Sequence, residues 1–201
     1  MYTPSHFAEQ SPAVLRALIE AHPLGALVTQ SAAGIDADHI PFEFVPASEA
    51  APFGILRAHV ARANPLWRKD GAQVLVLFQG PEGYVSPALY ADKPVSGKVV
   101  PTWNYAVVHA HGVLRAVDDP DWLLPLLERL TNQHEAGRSH PWSVADAPPD
   151  YIDTLRRAIV GIEIVLTALE GKFKLCQNRP AGDQRAVAED VPVLGPWMAP
   201  K

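Results

Sequence analysis

The amino-acid sequence predicts a mainly β protein with peripheral helices, an α+β chain built on an antiparallel barrel. About six strand-like segments lie close together in the chain, and four helical segments are placed among them without βαβ alternation. Apolar residues make up 48% of the 201 residues and charged residues 19%, which is enough to fill a core. We expect a single domain over residues 1–190 and an irregular C-terminal tail over 191–201.

The N-terminal part of the chain predicts one helix, three strands and a second, short helix. Ser11 is a suitable N-cap and Pro12 suits the first helical position, and apolar residues follow at helical spacing. In the second strand, Ile40, Phe42 and Phe44 stand at every other position, the period of a half-buried strand. The ranges that we expect are a helix from 12 that ends before 23, strands over 26–30, 36–45 and 54–61, and a helix that begins at 64–65 and ends at 71.

The C-terminal part predicts a short central strand, a long strand, two helices and a final strand. The run at 74–78 is apolar throughout and so fits a strand covered on both faces, followed by a turn at 80–83. Gly112 is a candidate bulge in the long strand. The expected ranges are a strand over 99–117, a helix over 121–134 disturbed at Pro125, a helix over 150–158 and a strand over 162–167.

The charge balance argues against strong direct binding to DNA. The net charge is −5 and no basic run occurs, whereas affinity for DNA comes largely from Lys and Arg. The single cysteine, Cys176, excludes an intramolecular disulfide, and we interpret it as structural. The N-terminus lacks the features of a secretory signal, and no apolar run is long enough to cross a bilayer. We therefore expect a cytoplasmic protein that does not contact membranes.

A first candidate site lies where the third strand leads into a short helix. Arg62 stands beside the helix start at Asn64 and Pro65, and the free N–H groups of a helix N-terminus favour anions. An arginine there suits a terminal phosphate. The alternative is that Asn64 only caps the helix and Arg62 is a solvated charge.

A second candidate lies in the long strand. Thr102 and Asn104 project from one face, where they offer donors and acceptors to the edge of a flat heterocycle. Trp103 and Tyr105 project from the other face and could cover such a ring. The alternative is a barrel strand whose aromatic residues are core.

A third candidate is the basic segment at 170–179, in which Lys172, Lys174 and Arg179 bring three positive charges into a net acidic chain. Phosphate contact and an exposed strand edge protected by lysines explain it equally well. His109 and His111 are two apart on a strand, but no third ligand accompanies them at a fixed spacing, so we expect no metal site.

Six segments, taken in order over about residues 2–190, resemble the PaiB family. They are His59-Val60-Ala61-Arg62-Ala63-Asn64-Pro65, Phe78-Gln79-Gly80-Pro81, Tyr84-Val85-Ser86-Pro87, Val100-Pro101-Thr102-Trp103-Asn104-Tyr105, Thr131 with His134-Glu135, and Gly171-Lys172-Phe173-Lys174-Leu175 followed by Gln177-Asn178-Arg179. The resemblance implies an FMN-binding split barrel, related to pyridoxamine-phosphate-oxidase-like flavoproteins, in which FMN lies between the two subunits of a homodimer. Cys176 stands where this family usually has serine, so no hydroxyl is present there.

The resemblance also implies roles for particular residues. Four residues of the third strand and the following helix start would face the phosphate and ribityl chain of FMN. Three residues of the long strand would reach the flavin across the dimer interface, and three residues of the basic segment would add further contacts with FMN. These residues are His59, Val60, Arg62 and Asn64, then Thr102, Trp103 and Asn104, then Lys172, Gln177 and Arg179.

Proteins similar to this one are described as negative transcriptional regulators, so the resemblance predicts a regulator that acts through flavin or a protein partner. One alternative is an FMN-dependent oxidoreductase that uses NAD(P)H or a small-molecule substrate, with His59, His109 and Tyr105 as candidate proton donors. The other is a barrel that has lost flavin and serves as a dimeric interaction module.

Overall fold

A computed structural model gives the fold of the chain and describes residues 1–198. The strands are β1 (Ala8–Glu9), β2 (Leu24–Ser31), β3 (Gly34–Pro41), β4 (Glu43–Val45), β5 (Ile55–Ala61), β6 (Gln73–Val85), β7 (Thr102–Val117) and β8 (Ile159–Lys174). The α-helices are α1 (Pro12–Ala21), α2 (Lys93–Ser96), α3 (Pro120–Glu135), α4 (Pro149–Arg157), α5 (Ala181–Asp190) and α6 (Gly195–Met198). Turns of 3₁₀-helix occur at Ser5–Phe7, Pro65–Lys69, Pro87–Leu89, Val144–Asp146 and Pro192–Leu194.

The strands form a sheet in the order β3-β2-β6-β7-β8-β5-β4, and β1 pairs with β8 outside this path. Pairing is antiparallel between β2 and β3, between β4 and β5, between β5 and β8, and between β1 and β8. The fold class predicted from the sequence, mainly β and antiparallel with helices at the periphery, is confirmed. Among residues 1–198, no helix is long and apolar enough to span a membrane.

The chain divides into two compact units, and the long strands β6, β7 and β8 contribute to both. The first unit contains Met1–His22, Leu77–His109 and the chain from Leu169 onward, and the second contains Pro23–Val76 and Ala110–Ala168. The single domain predicted over 1–190 stays a prediction.

The first unit is built around α1. Leu15, Leu18 and Ile19 recur at helical spacing and are all buried, which gives this helix one apolar face. Gly171 of β8 leaves room for this face, since a Cβ at that position would lie 2.3 Å from Leu15 Cδ2.

The second unit is built around β5, the first half of β8 and α3. Leu123, Leu126 and Leu130 form the buried face of α3, and Trp122 lies against Gly161 of β8. Across the β5–β8 pair, Arg57 Nε donates to Glu163 Oε2 at 3.0 Å.

The turn predicted at 80–83 is wrong, because β6 runs through it without interruption. Both of its glycines serve close packing instead. A Cβ at Gly80 would lie 2.9 Å from Leu18 Cδ1, and one at Gly83 would lie 2.5 Å from Val191 Cγ1. A glycine inside a strand often marks such a close approach rather than a turn.

Further elements differ from the sequence prediction, and among them the strand expected over 36–45 is divided into β3 and β4. The final strand, expected over 162–167, extends to Lys174, so the first half of the basic segment belongs to it. α3 continues through Pro125, where the burial of its leucines offsets the hydrogen bond that proline cannot donate. α5 was not predicted. The segment expected to be an irregular tail forms a 3₁₀ turn and then α6, which ends at Met198. Within this segment Leu194 is buried and Trp197 packs against Phe173. Residues 199–201 of that tail lie outside the described residues.

Candidate functional site

A pocket of about 200 Å³ in the first unit lies at the start of β7 and the end of β8. We call it the cationic pocket, because two of its lining residues carry positive charge. It is lined by Phe7, Tyr90, Val100, Thr102, Asn104, Lys174, Cys176, Asn178 and Arg179.

The strand alternation places Thr102 and Asn104 in this pocket together. The ammonium group of Lys174 donates a hydrogen bond to the Thr102 hydroxyl. Asn104 is only 1% exposed, and its Nδ2 donates to Cys176 Sγ at 3.0 Å. Hydrogen bonds to Thr102 and Cys176 thus hold the side chains of Lys174 and Asn104 in place.

Cys176 sets the direction of the chain as it leaves β8. Its φ is 65°, the one positive value among the non-glycine residues that the structure describes. Such a conformation is costly for a residue with a Cβ and persists where the surroundings impose it. The resulting turn is closed by the Arg179 N–H, which donates to the Cys176 carbonyl at 2.9 Å.

Arg179 reaches the pocket beside Tyr90. Its guanidinium carbon lies 4.2 Å from the centre of the tyrosine ring, within the range of a cation–π contact. Burial raises the pKa of Tyr90, and the neighbouring Cys176 thiol adds to the effect. The phenol therefore stays protonated at neutral pH and can donate or accept a hydrogen bond.

The other predicted residues of the first unit lie outside the cationic pocket. Trp103 faces away, as the alternation requires: it is 48% exposed and its Nε1 donates to Glu82 Oε2 at 2.9 Å. The Lys172 ammonium lies 5.4 Å from the centre of the Tyr105 ring. Gln177 is turned onto the backbone, where its amide oxygen accepts from the Leu175 N–H at 2.8 Å.

In the second unit, Arg62 is held by partners on three other segments. Its Nη1 and Nη2 bind the Asp118 carboxylate at 2.7 and 2.6 Å, and its Nε donates to the Arg157 carbonyl at 2.8 Å. Nη2 also donates to the Ile159 carbonyl at 3.1 Å. Hydrogen bonding to Arg62 lowers the pKa of Asp118. This arginine is thus anchored at the end of β5.

Asn64 is the cap that the sequence predicts. Its Oδ1 accepts from the Leu66 N–H at 2.8 Å, which opens the 3₁₀ turn at Pro65–Lys69. Its Nδ2 donates to Asp38 Oδ1, also at 2.8 Å. This helical turn is five residues long.

His59 and Val60 lie on opposite faces of β5. Val60 is buried in the core. The Nδ1 atom of His59 is buried, with no hydrogen-bond partner among residues 1–198, and burial lowers the pKa of the ring. The imidazole is therefore neutral near pH 7 and can exchange a proton with a group placed beside it.

The structure thus brings three of the ten predicted site residues into one pocket, namely Thr102, Asn104 and Arg179. Lys174 and Cys176 belong to it as well: Lys174 was predicted as one charge of the basic segment that suits phosphate contact, and Cys176 was interpreted as structural. Strand alternation is the signal that could have identified them, because Lys174 and Cys176 share one side of the chain and Gln177 is on the other. The binding roles of all ten residues stay predictions.

Comparison with known proteins gives the family. Residues 1–168 match the family described as "Putative FMN-binding domain". An uncharacterised protein of Emericella nidulans is 36% identical over 97% of this chain and 92% of its own length. "Protease synthase and sporulation protein PAI 2" of Bacillus subtilis is 30% identical over 95% of this chain and 89% of its own length.

Two solved structures have the same fold. The FAD and heme binding protein of Mycobacterium smegmatis matches with a TM-score of 0.62 and 16% identity, over 90% of this chain and 80% of that one. The flavocytochrome Anf3 of Azotobacter vinelandii matches with a TM-score of 0.59 and 15% identity, over 83% of this chain and 69% of that one. The split-barrel fold and the FMN cofactor expected from the sequence are confirmed, and the chain belongs to the PaiB-like family of FMN-binding domains.

Proposed function

We propose that this protein is a homodimeric, cytoplasmic FMN-binding protein that acts as a negative transcriptional regulator, through its flavin or a protein partner. The observation that carries the proposal is the cationic pocket, in which Lys174 and Arg179 stand beside the buried amide of Asn104. A site of this composition is built to receive an anionic, hydrogen-bonding ligand.

The donor set fits part of an FMN molecule. Lys174 and Arg179 offer charged donors to a phosphate or to the electron-rich edge of the flavin, and Asn104 and Thr102 can hold the polar edge of a heterocycle. Bound FMN supplies hydride and electron transfer. The residues themselves bind and orient it.

The size of the pocket supports the homodimer. Small-molecule sites usually enclose roughly 300–1,000 Å³, whereas this pocket has about 200 Å³. One protomer therefore encloses only part of the cofactor, and a second copy would supply the rest. Half-buried apolar side chains such as Leu77 of β6 and Val107 of β7 offer a surface for that copy.

The regulatory role is supported by the Bacillus subtilis relative, whose name links it to protease synthesis and sporulation. Net charge argues that regulation does not depend on strong direct contact with DNA, since the chain carries −5. The flavin or a protein partner would therefore carry the signal.

Titration of the purified protein with FMN tests the cofactor part. We expect a yellow protein that absorbs at about 450 nm, binds about one FMN per chain and sediments as a dimer. A colourless monomer that ignores added FMN would contradict the proposal.

Transcription tests the regulatory part. Deleting the gene should raise expression of a set of target genes, and the wild-type gene should restore repression, whereas a gene carrying Lys174→Met should not. An unchanged transcript profile after deletion would rule out the regulatory role and leave flavin binding intact.

A second candidate is an FMN-dependent oxidoreductase that uses NAD(P)H or a small-molecule substrate. The observation that favours it is His59, a neutral imidazole whose buried Nδ1 has no partner among residues 1–198. Turnover would appear as NAD(P)H-dependent bleaching of the bound flavin with continued consumption of NAD(P)H. Loss of turnover in His59→Gln with FMN affinity retained would assign proton transfer during turnover to this residue. Absence of any bleaching would exclude oxidoreductase activity with NAD(P)H.

A further inference from the structure

A second and larger pocket lies in the first unit, between α5 and the end of β8. We call it the α5 cleft; its volume is about 800 Å³, within the range of roughly 300–1,000 Å³ that small-molecule sites occupy. It differs from the cationic pocket in all of its lining residues.

One wall of the cleft is a continuous stripe of α5. Ala181, Gln184, Arg185 and Ala188 line it, at positions i, i+3, i+4 and i+7 of the helix. The opposite face of α5 is fixed to the protein, because Asp183 is buried and its Oδ1 accepts from the Ala91 N–H at 3.0 Å. The four lining residues of α5 are therefore held towards the cleft. The small side chains of Ala181 and Ala188 leave the cleft open.

The floor of the cleft is apolar and aromatic. Phe173 of β8 and Leu175, which follows the end of that strand, are both buried. Trp197 of α6 meets Phe173 edge to face, with 5.8 Å between the ring centres. A further flat ring can make a stacked or edge-to-face contact with such side chains.

The lining of this cleft carries a positive charge on Arg185 and a carboxylate on Glu9. Within residues 1–198 the Arg185 guanidinium has no hydrogen-bond or ion-pair partner, and it is exposed to solvent. By contrast, Gln184 Nε2 donates to the Arg179 carbonyl at 2.8 Å, and Glu9 Oε1 accepts from the Ser11 N–H at 2.8 Å. An arginine with five free donors is suited to bind a carboxylate with two parallel hydrogen bonds.

We propose that the α5 cleft binds an aromatic carboxylic acid, with its ring on Phe173 and Trp197 and its carboxylate on Arg185. The site is distinct from the cationic pocket, and the residues of α5 and α6 lie beyond residues 1–168, which match the FMN-binding family.

The two pockets share one short stretch of chain. Phe173, Leu175 and Gln177 line the α5 cleft, and the alternate residues Lys174, Cys176 and Asn178 line the cationic pocket. A ligand that shifts or stiffens this stretch must change the affinity for FMN, and FMN must change the affinity for the ligand by the same factor. This coupling rests on the proposed binding of FMN to the cationic pocket, whereas the α5 site itself does not.

Calorimetric titration with 2-naphthoate tests the site. The full-length protein is titrated with and without saturating FMN, and the neutral analogue 2-naphthalenemethanol serves as the matched ligand. We expect 2-naphthoate to bind in both forms of the protein and the alcohol to bind at least about tenfold more weakly, because it lacks the charge that Arg185 would pair with. Failure of 2-naphthoate to bind at millimolar concentration, or equal binding of the two ligands, would overturn the proposal.

Two variants locate the binding. Arg185→Gln should weaken 2-naphthoate binding about tenfold, whereas Arg115→Gln, the control at an exposed arginine that lines neither pocket, should not change it. Ala188→Trp should fill the cleft and abolish binding; a circular dichroism spectrum like that of the wild type excludes misfolding. Unchanged binding in Arg185→Gln and in a folded Ala188→Trp would place the ligand elsewhere and refute the site.

The coupling has its own readout. Saturating 2-naphthoate should change the dissociation constant of FMN at least threefold, and Ala188→Trp should remove that response. Equal FMN affinity with and without 2-naphthoate would refute the coupling while the site stands. Binding of 2-naphthoate to a protein that ignores FMN would refute the proposed function and not the site.

Discussion

The Arg62 guanidinium and the Asp118 carboxylate form a bidentate ion pair, with Nη1–Oδ2 at 2.7 Å and Nη2–Oδ1 at 2.6 Å. The same guanidinium also donates to two backbone carbonyls, so its donors are already engaged within the second unit. A phosphate that binds Arg62 would have to share it with Asp118.

This arrangement separates two roles of Arg62. If it binds the FMN phosphate, Arg62→Ala lowers FMN affinity, and Asp118→Asn keeps or raises it, because the guanidinium loses its competitor. We expect FMN affinity to fall in Arg62→Ala and not to fall in Asp118→Asn, measured by quenching of FMN fluorescence. Unchanged FMN affinity in both variants would show that Arg62 only anchors the end of β5.

Lys174 and Arg179 should contribute most to FMN affinity. Lys174→Met and Arg179→Gln keep much of each side chain and remove its charge, and each should weaken FMN binding about tenfold or more. Lys93→Met, at an exposed lysine outside the cationic pocket, is the control. If the control and the two pocket variants lose affinity equally, general charge rather than this pocket attracts FMN.

His59 should make stability depend on pH. Burial lowers its pKa below 6.5, so the unfolded chain binds this proton more readily than the folded protein. Its contribution is therefore fully present above about pH 6.5 and is lost as the pH falls towards the folded-state pKa. The free energy of unfolding in urea should decrease less between pH 7.5 and pH 5.5 in His59→Gln than in the wild type. Equal slopes in the two proteins would contradict this.

Gly161 should tolerate no side chain. A Cβ there would lie 2.4 Å from Trp122 Cζ3 and 3.0 Å from the Val117 carbonyl oxygen, so Gly161→Ala should destabilise the protein by ~1–3 kcal/mol. Gly182→Ala is the matched control, since a Cβ meets nothing within 4 Å there. That variant should be neutral or stabilising by less than ~1 kcal/mol. Chemical denaturation measures both, and equal effects would refute the packing argument.

Cys176 should accept a small polar replacement and reject a branched one. Cys176→Ser keeps an acceptor for the Asn104 amide and should leave FMN affinity within about threefold of the wild type. Cys176→Val removes the acceptor and places a β-branched residue at a φ of 65°, which should cost ~1–3 kcal/mol. A stable valine variant would show that neither the contact nor the backbone constrains this position.

The parts of the fold that could be predicted are those governed by local pattern. Ser11 and Pro12 marked the start of α1, and the alternation along β7 separated Thr102 and Asn104 from Trp103 correctly. Both signals depend only on residues close in the chain.

The parts that could not be predicted depend on residues far apart in the chain. Gly80 and Gly83 have the local chemistry of a turn, and only Leu18 and Val191 explain why the strand continues. α5 buries just Asp183 and Val187, so its sequence lacks an apolar face. Asp118, the partner of Arg62, follows it by 56 residues, and a local sequence pattern does not predict such a distant pair.

The position of the cationic pocket along the chain affects how this protein should be expressed and compared. Residues 1–168 are the part that matches the FMN-binding family, yet Lys174, Cys176 and Arg179 all come later. A fragment that ends at Ala168 would also cut β8 six residues before its end. Fragments for biochemistry should therefore continue through α5, and relatives are best grouped by the residues they carry at 174–179 rather than by the matched region alone.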